Sequence, residues 1–330
     1  MPPLGVLGAG SWGTALAIAL APRFPAVCLW ARNPALAGEM QSLRENRRYL
    51  PGFLLPENVQ VTAQARDAVS DCVILVTVVP SHHLRGVLGS VSAHFSADAR
   101  VVSATKGLEE QTLFRMSEVV EDVLRPKTPV AVLSGPTFAK EIAAGEPAAV
   151  VIASREIEVA VEIQRAFATP ALRLYTSTDV IGVELGAALK NVIAIGAGIC
   201  RGLGLGSNSV AALITRGLAE INRLAIAAGG RPQTLSGLTG LGDLVLTATG
   251  DLSRNRFVGM RLGEGQRLPQ ILADMNMVAE GVETCRAAYL LGRKYAVDLP
   301  IIDQMYEVLY RTKDPRQAIR DLMERPLTNE

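Results

Sequence analysis

Only four cysteines, three histidines and one unit of net positive charge occur in 330 residues, and each scarcity removes a class of function. Cys28, Cys72, Cys200 and Cys285 are scattered, with no CxxC pair and no histidine nearby. Neither a zinc site nor a redox motif is suggested, so no metal is expected, and each cysteine reads as a small buried hydrophobe in a reducing compartment. Lys and Arg (33) balance Asp and Glu (32), and basic residues cluster only in the short "ENRRYL" of Glu45 to Leu50. That argues against nucleic acid or an anionic membrane as the main partner. Apolar runs such as "AAVVIA" fall far short of the roughly 18 residues that span a bilayer, so no membrane insertion is expected. The first strand-like run, "LGVLGAG", begins at Leu4 and leaves no room for a secretory leader, which makes a cytoplasmic location the expectation.

What is present is an ordinary globular composition, 49% hydrophobic and 20% charged, in a chain longer than one core usually supports. Two domains are therefore expected. The N-terminal half alternates short β-rich apolar runs with helical patterns: "LGVLGAG", "AVCLWAR", "VQVTAQ", "CVILVTVV", "RVVSAT", "PVAVLS" and "PAAVVIAS". Near-continuous apolar strands of this kind belong to a mostly parallel sheet with helices on both faces, a doubly wound, Rossmann-like α/β domain. From about Thr178 the β-rich runs stop and helical patterns take over, at Val180 to Ile199, Ser209 to Gly229, Leu268 to Met275, Thr284 to Tyr295 and Pro300 to Arg311. The patterns place the Rossmann-like α/β domain over 1–178 and an all-α domain over 179–330.

"VLGAGSWG" sets Gly8, Gly10 and Gly13 in GxGxxG spacing, after a strand-like run and at the start of an apolar helix. In that context Gly8 makes the tight turn, Gly10 lets the backbone approach a pyrophosphate and Gly13 lets the helix pack close, while the helix N-terminus supplies donors and a positive dipole. A NAD-specific site carries Asp or Glu about 20 residues beyond the glycines. Here "LWARNP" offers Arg32 instead, which either favours the 2′-phosphate of NADP(H) or is a solvated surface arginine.

Ligands in such sheets lie beyond the carboxyl ends of the strands. "VVSATKG" places Lys106 there, and "VLSGPTFAKE" places Gly135, Thr137 and Ala139 at a strand-to-helix junction with free backbone amides. In "VPSHHLRGVL" Ser81 reads as an N-cap, with His82 and His83 as surface residues of the first turn; His94 carries no evident role. Lys190 is the anomaly: its helical neighbours Val183, Gly186, Ala187, Ile193, Ala194 and Ala197 include no partner for an ammonium. Desolvation disfavours a buried ammonium, and a lysine brought toward neutrality exchanges protons with an alcohol or carbonyl; alternatively its stem packs and its head reaches water. "LTGLGDLVLTATG" isolates Asp243 in a glycine-rich loop, as a tuning carboxylate or a simple N-cap. In "GDLSRNRFVG", Ser253 caps a helix whose first turn carries Arg254 and Asn255, either a phosphate-binding terminus or a plain cap.

Taken together, "GAGSWGTALA", "LPENV", "ATKGLE", "LSGPTFAKEIA", "ELGAALKNVIAIGAGI", "TGLGDLVLT" and "SRNRFVG" resemble the bacterial-type NAD(P)-dependent glycerol-3-phosphate dehydrogenases, in order and over most of the chain. The resemblance implies NADP(H) or NAD(H) as cofactor, no metal, and reversible reduction of dihydroxyacetone phosphate to sn-glycerol 3-phosphate for phospholipid biosynthesis. It also implies a cytoplasmic homodimer. It assigns the dinucleotide to Ser11, Trp12, Arg32, Tyr49, Lys106, Ala139, Arg254, Val278 and Glu280, beside the glycines. It assigns substrate to Lys106, Gly135, Thr137, Lys190, Asp243, Ser253, Arg254 and Asn255, with Lys190 as proton acceptor and Lys106 and Asp243 beside it in catalysis. Thr137 stands where Ser is frequent, and both supply a hydroxyl.

Overall fold

Short runs of β-branched and small apolar residues, each bounded by Gly, Pro or polar residues, build an eight-stranded sheet. In the computed structural model, which describes residues 3–96, 98–124, 128–275 and 279–327, the strands are β1 (Leu4–Leu7), β2 (Val27–Trp30), β3 (Glu45–Asn46), β4 (Leu50–Leu54), β5 (Val59–Thr62), β6 (Ile74–Thr77), β7 (Arg100–Ser103), β8 (Val130–Ser134), β9 (Ala148–Ala153) and β10 (Leu172–Ser177). The sheet order is β10-β9-β8-β7-β6-β1-β2-β5, and β3 and β4 form a separate hairpin. All neighbours are parallel except β8 and β9. The chain runs outward from β1 to β2 and β5, then returns to β6 on the other side of β1, which creates a switch point between β1 and β6. Core residues lie on both faces, with Leu16, Leu20, Met40 and Phe167 covering one and Leu84, Leu88, Val119 and Val120 the other.

The expected architecture is thus present, with details that the apolar patterns did not carry. The sequence reading omitted β10, whose alternating "LRLYTS" places polar side chains on one face, and the small β3–β4 hairpin. Ser81 is not an N-cap: Pro80 holds that position, and Ser81 is a buried first residue of the Ser81–Val91 helix. A further helix, Pro315–Met323, follows the expected ones.

Two compact units divide the chain, Met1–Glu109 with Phe114–Glu184, and Glu110–Leu113 with Leu185–Glu330. This division falls within the Val180–Gly202 helix. This helix has the length and mean hydropathy (1.6) of a membrane span, yet 94% of its apolar window is buried within the protein. Its first turn is anchored by Glu184, which accepts from Ser117 N (2.7 Å) and Ser117 Oγ (2.6 Å) and pairs with Arg115 (2.7 Å). The four cysteines are free, and burial holds the thiols of Cys28 and Cys72 up at about 11 and about 12.

In the second unit Glu220 reaches from the Ser207–Ala227 helix to accept from Ile301 N (2.7 Å) and Ile302 N (3.1 Å), satisfying the first turn of the Pro300–Tyr310 helix. Burial raises its carboxyl from 4.5 to about 7. The folded chain therefore retains this proton above the pH at which the unfolded chain releases it. That contribution to stability is complete below about pH 4.5 and declines as pH rises to about 7, by roughly 3 kcal/mol at 1.36 kcal/mol per pKa unit. Glu220→Gln is neutral throughout, so its urea midpoint should gain on the wild type between pH 4.5 and 7.5; parallel curves would show that Glu220 does not titrate there.

Candidate active site

The first unit places the glycine turn at the switch point, directly after β1. Gly8 has φ +124°, and a Cβ there would stand 2.9 Å from Val78 O, beyond the end of β6. A Cβ on Gly13 would lie 1.9 Å from Gly8 O, so only glycine lets the Ser11–Leu20 helix start so close to its own strand. At Gly10 a Cβ would meet nothing within 4 Å, and no side chain caps the helix. Open space before uncapped backbone N–H groups fits a dinucleotide pyrophosphate. Trp12 Nε1 is also buried without a hydrogen-bond partner among the described residues.

The β3–β4 hairpin braces this turn. Buried Asn46 donates to Ala9 O (2.9 Å) and Thr14 Oγ1 (2.8 Å) and accepts from Tyr49 N (3.2 Å), and Ser11 Oγ donates to Tyr49 O (2.6 Å). Ser11, Trp12 and Tyr49 thus gather at one turn, with Asn46 as a brace that sequence reasoning missed; nothing in "ENRRYL" distinguishes it from a surface asparagine. Arg32 lies exposed beyond β2, its Nη1 3.3 Å from His83 Nε2.

Beyond β7, half-buried Lys106 donates from Nζ to Gly135 O (3.1 Å), the same oxygen that receives Thr137 Oγ1 (3.2 Å). Gly135 adopts φ +148°, with Val150 Cα 3.0 Å from where a Cβ would be. Ala139 opens the short Ala139–Ala143 helix. Lys106, Gly135 and Thr137 are therefore one cluster at the carboxyl ends of β7 and β8.

In the second unit, buried Lys190 does have partners. Its Nζ donates to Asp243 Oδ1 (2.5 Å) and Thr247 Oγ1 (2.7 Å). Asp243 is neither in a loop nor an N-cap: Leu238–Gly242 forms a π-helical turn, Gly242 is the cap position, and Asp243 is the buried first residue of the Asp243–Thr249 helix. Gly186, one turn before Lys190, lets that π turn approach, since its Cβ would lie 3.0 Å from Thr239 O. Thr247 Oγ1 donates to Asp243 O (2.6 Å), which turns its lone pairs to the lysine. Thr247 was missed in the sequence, although its i+4 spacing from Asp243 was a signal. A buried charge requires a paired, hydrogen-bonded environment, and these two residues provide it.

Ser253 is the expected N-cap, accepting from Arg256 N (3.2 Å), with Arg254 exposed beside it. Asn255 is buried and turned inward: it donates to Asn191 Oδ1 (2.9 Å) and accepts from Gly281 N (3.0 Å), bridging the residue after Lys190 to the helix that begins at Glu280. The Arg254–Gly263 helix packs backbone to backbone on the lysine's helix, with Cβ positions of Gly198 and Gly259 only 2.0 Å from Arg256 O and 1.9 Å from Ile195 O. "GICRG" and "GMRLG", each with glycines four apart, were the sequence signal for this crossing. Val278 lies outside the described residues. Among those described, no group of His, Cys, Asp and Glu has the arrangement of a metal site.

Two family models cover nearly the whole chain: NAD-dependent glycerol-3-phosphate dehydrogenase N-terminus over residues 3–160 and the C-terminus over residues 179–320. The chain belongs to the NAD-dependent glycerol-3-phosphate dehydrogenase family. A relative from Koribacter versatilis, named glycerol-3-phosphate dehydrogenase [NAD(P)+], is 52% identical over 100% of this chain and 99% of its own length. The Geobacter sulfurreducens protein of the same name is 50% identical, over 99% and 98%. The crystal structure of a glycerol-3-phosphate dehydrogenase from Coxiella burnetii superposes with a TM-score of 0.95 at 39% identity, covering 98% of this chain and 99% of that one. Family membership makes this an NAD(P)-dependent oxidoreductase with the α/β and helical arrangement described above.

Proposed function

We propose that the chain reduces dihydroxyacetone phosphate to sn-glycerol 3-phosphate with NADPH or NADH, reversibly, and supplies the glycerol phosphate backbone of phospholipids as a cytoplasmic homodimer. The observation that carries this reading is the buried Lys190, held at Nζ by Asp243 and Thr247 in a family of dehydrogenases. The nicotinamide, when bound, would supply or accept the hydride. Lys190 moves the proton: it donates to the carbonyl oxygen as negative charge develops there, and takes the hydroxyl proton in the reverse direction. Asp243 and Thr247 keep Nζ in one place for that transfer.

In the first unit Gly8, Gly10, Ser11, Trp12, Gly13, Arg32, Tyr49 and Ala139 hold the dinucleotide, and Lys106, Gly135 and Thr137 face the substrate. In the second, Ser253, Arg254 and Asn255 take the substrate phosphate, and Arg254, Val278 and Glu280 add to the dinucleotide site. The division of labour is a dinucleotide domain over 1–178 and a substrate domain over 179–330. NADPH consumption with dihydroxyacetone phosphate, run beside unphosphorylated dihydroxyacetone, tests the reading. Turnover of the phosphorylated ketone should exceed that of the free ketone by at least about 100-fold in kcat/KM, as expected when charge-assisted hydrogen bonds are lost. Equal turnover, or none, would overturn it.

A further inference from the structure

We infer that His83 is a specificity-determining residue for the cofactor, forming with Arg32 the subsite for a phosphate on the 2′-oxygen of the adenosine ribose. The inference rests on the reading of the Gly8–Gly13 turn as a dinucleotide site and adds to it a residue from another strand. In a doubly wound sheet the side chain just beyond the second strand meets that ribose. Here β2 ends at Trp30, and Arg32 follows, exposed and without an ion pair among the described residues.

Arg32 is met instead by an imidazole, His83 Nε2 at 3.3 Å. His83 is in the first turn of the helix after β6, and β2 and β6 flank β1 on opposite sides. The two side chains therefore converge from both neighbours of the strand that leads into the glycine turn. A carboxylate beside Arg32 would neutralise it and repel a phosphate; an imidazole does neither. An imidazole nitrogen without a proton accepts a hydrogen bond from Arg32 Nη1, and on meeting an anion an imidazole N–H and the planar guanidinium fork can both donate to it. Two groups that repel each other when both are charged are brought together most favourably by a shared anion. The His82 ring, tilted against His83 with centroids 4.0 Å apart, limits the directions that His83 can take. An adenosine ribose with a free 2′-hydroxyl has no charge to offer this pair, so the pair separates NADP(H) from NAD(H).

Calorimetric titration of the full chain with 2′,5′-ADP and with 5′-AMP isolates the subsite from turnover. The wild type should bind 2′,5′-ADP at least about tenfold more tightly than 5′-AMP, the fold-change expected for charge-assisted hydrogen bonds. His83→Leu should lose most of that ratio while its 5′-AMP affinity and Tm stay unchanged, and His83→Lys should retain it through a new ammonium. A His83→Leu protein that keeps the full ratio would overturn the role of His83. A wild type that binds both nucleotides equally would overturn the subsite but leave the dinucleotide turn standing. A wild type that binds neither would overturn the reading of the turn itself, and the subsite with it.

Discussion

Lys190→Met is expected to lower kcat for dihydroxyacetone phosphate by about 10²- to 10⁴-fold, the range that a positioned proton donor contributes. Methionine keeps most of the side-chain length and removes the ammonium, so the change isolates the charge and its protons. Nucleotide binding should be unaffected, because Lys190 is not among the residues assigned to the dinucleotide. The loss should appear in kcat and in kcat/KM together, as for an interaction made mainly in the transition state. Measured rates within about fivefold of the wild type would reduce Lys190 to a packed structural residue, since such a change is below the range for general acid–base work.

Asp243→Ala carries the second large effect, on stability as well as on rate. The Lys190 and Asp243 side chains are 6% and 1% exposed, so the variant leaves an ammonium in the interior with Thr247 as its remaining hydrogen-bond partner on the Asp243–Thr249 helix. Breaking a buried pair by removing one partner costs about 3–5 kcal/mol. Chemical denaturation should show this loss. The double variant Lys190→Met/Asp243→Leu should recover most of it, because apolar groups of similar volume replace a buried ion pair at little cost. It should remain inactive, which separates the contribution of the pair to folding from its contribution to proton transfer. If Asp243→Ala is as stable as the wild type, the lysine has found water or another partner, and the picture of a dry, fixed Nζ fails.

Much of this protein was legible in local patterns. Strand and helix periodicity, the glycines at 8, 10 and 13, the cap at Ser253 and the isolation of Lys190 among apolar neighbours are properties of a few adjacent residues, and a one-dimensional reading recovers such properties. Backbone sterics act locally: a Cβ at Gly13 collides with Gly8 O in any chain that turns from strand to helix in this way.

Tertiary structure decided the partners. Asp243 is 53 residues from Lys190 and Asn46 is 37 from Ala9, so neither contact leaves a trace in the spacing of its own neighbours. The reading of Asp243 as a loop residue failed for the same reason: the π turn that carries it is held against Gly186 by packing between distant segments, which overrides the usual meaning of closely spaced glycines. The reversed direction of β9 and the meeting of Arg32 with His83 across β1 also depend on which strands lie side by side. By itself the sequence determined which segments are helix or strand, where the chain turns, and that a lysine sits in an apolar stretch. Which carboxylate neutralises that lysine, and which imidazole faces the arginine, were decided only when the chain closed over long separations, because hydrogen bonds and ion pairs depend on distance in space rather than along the chain.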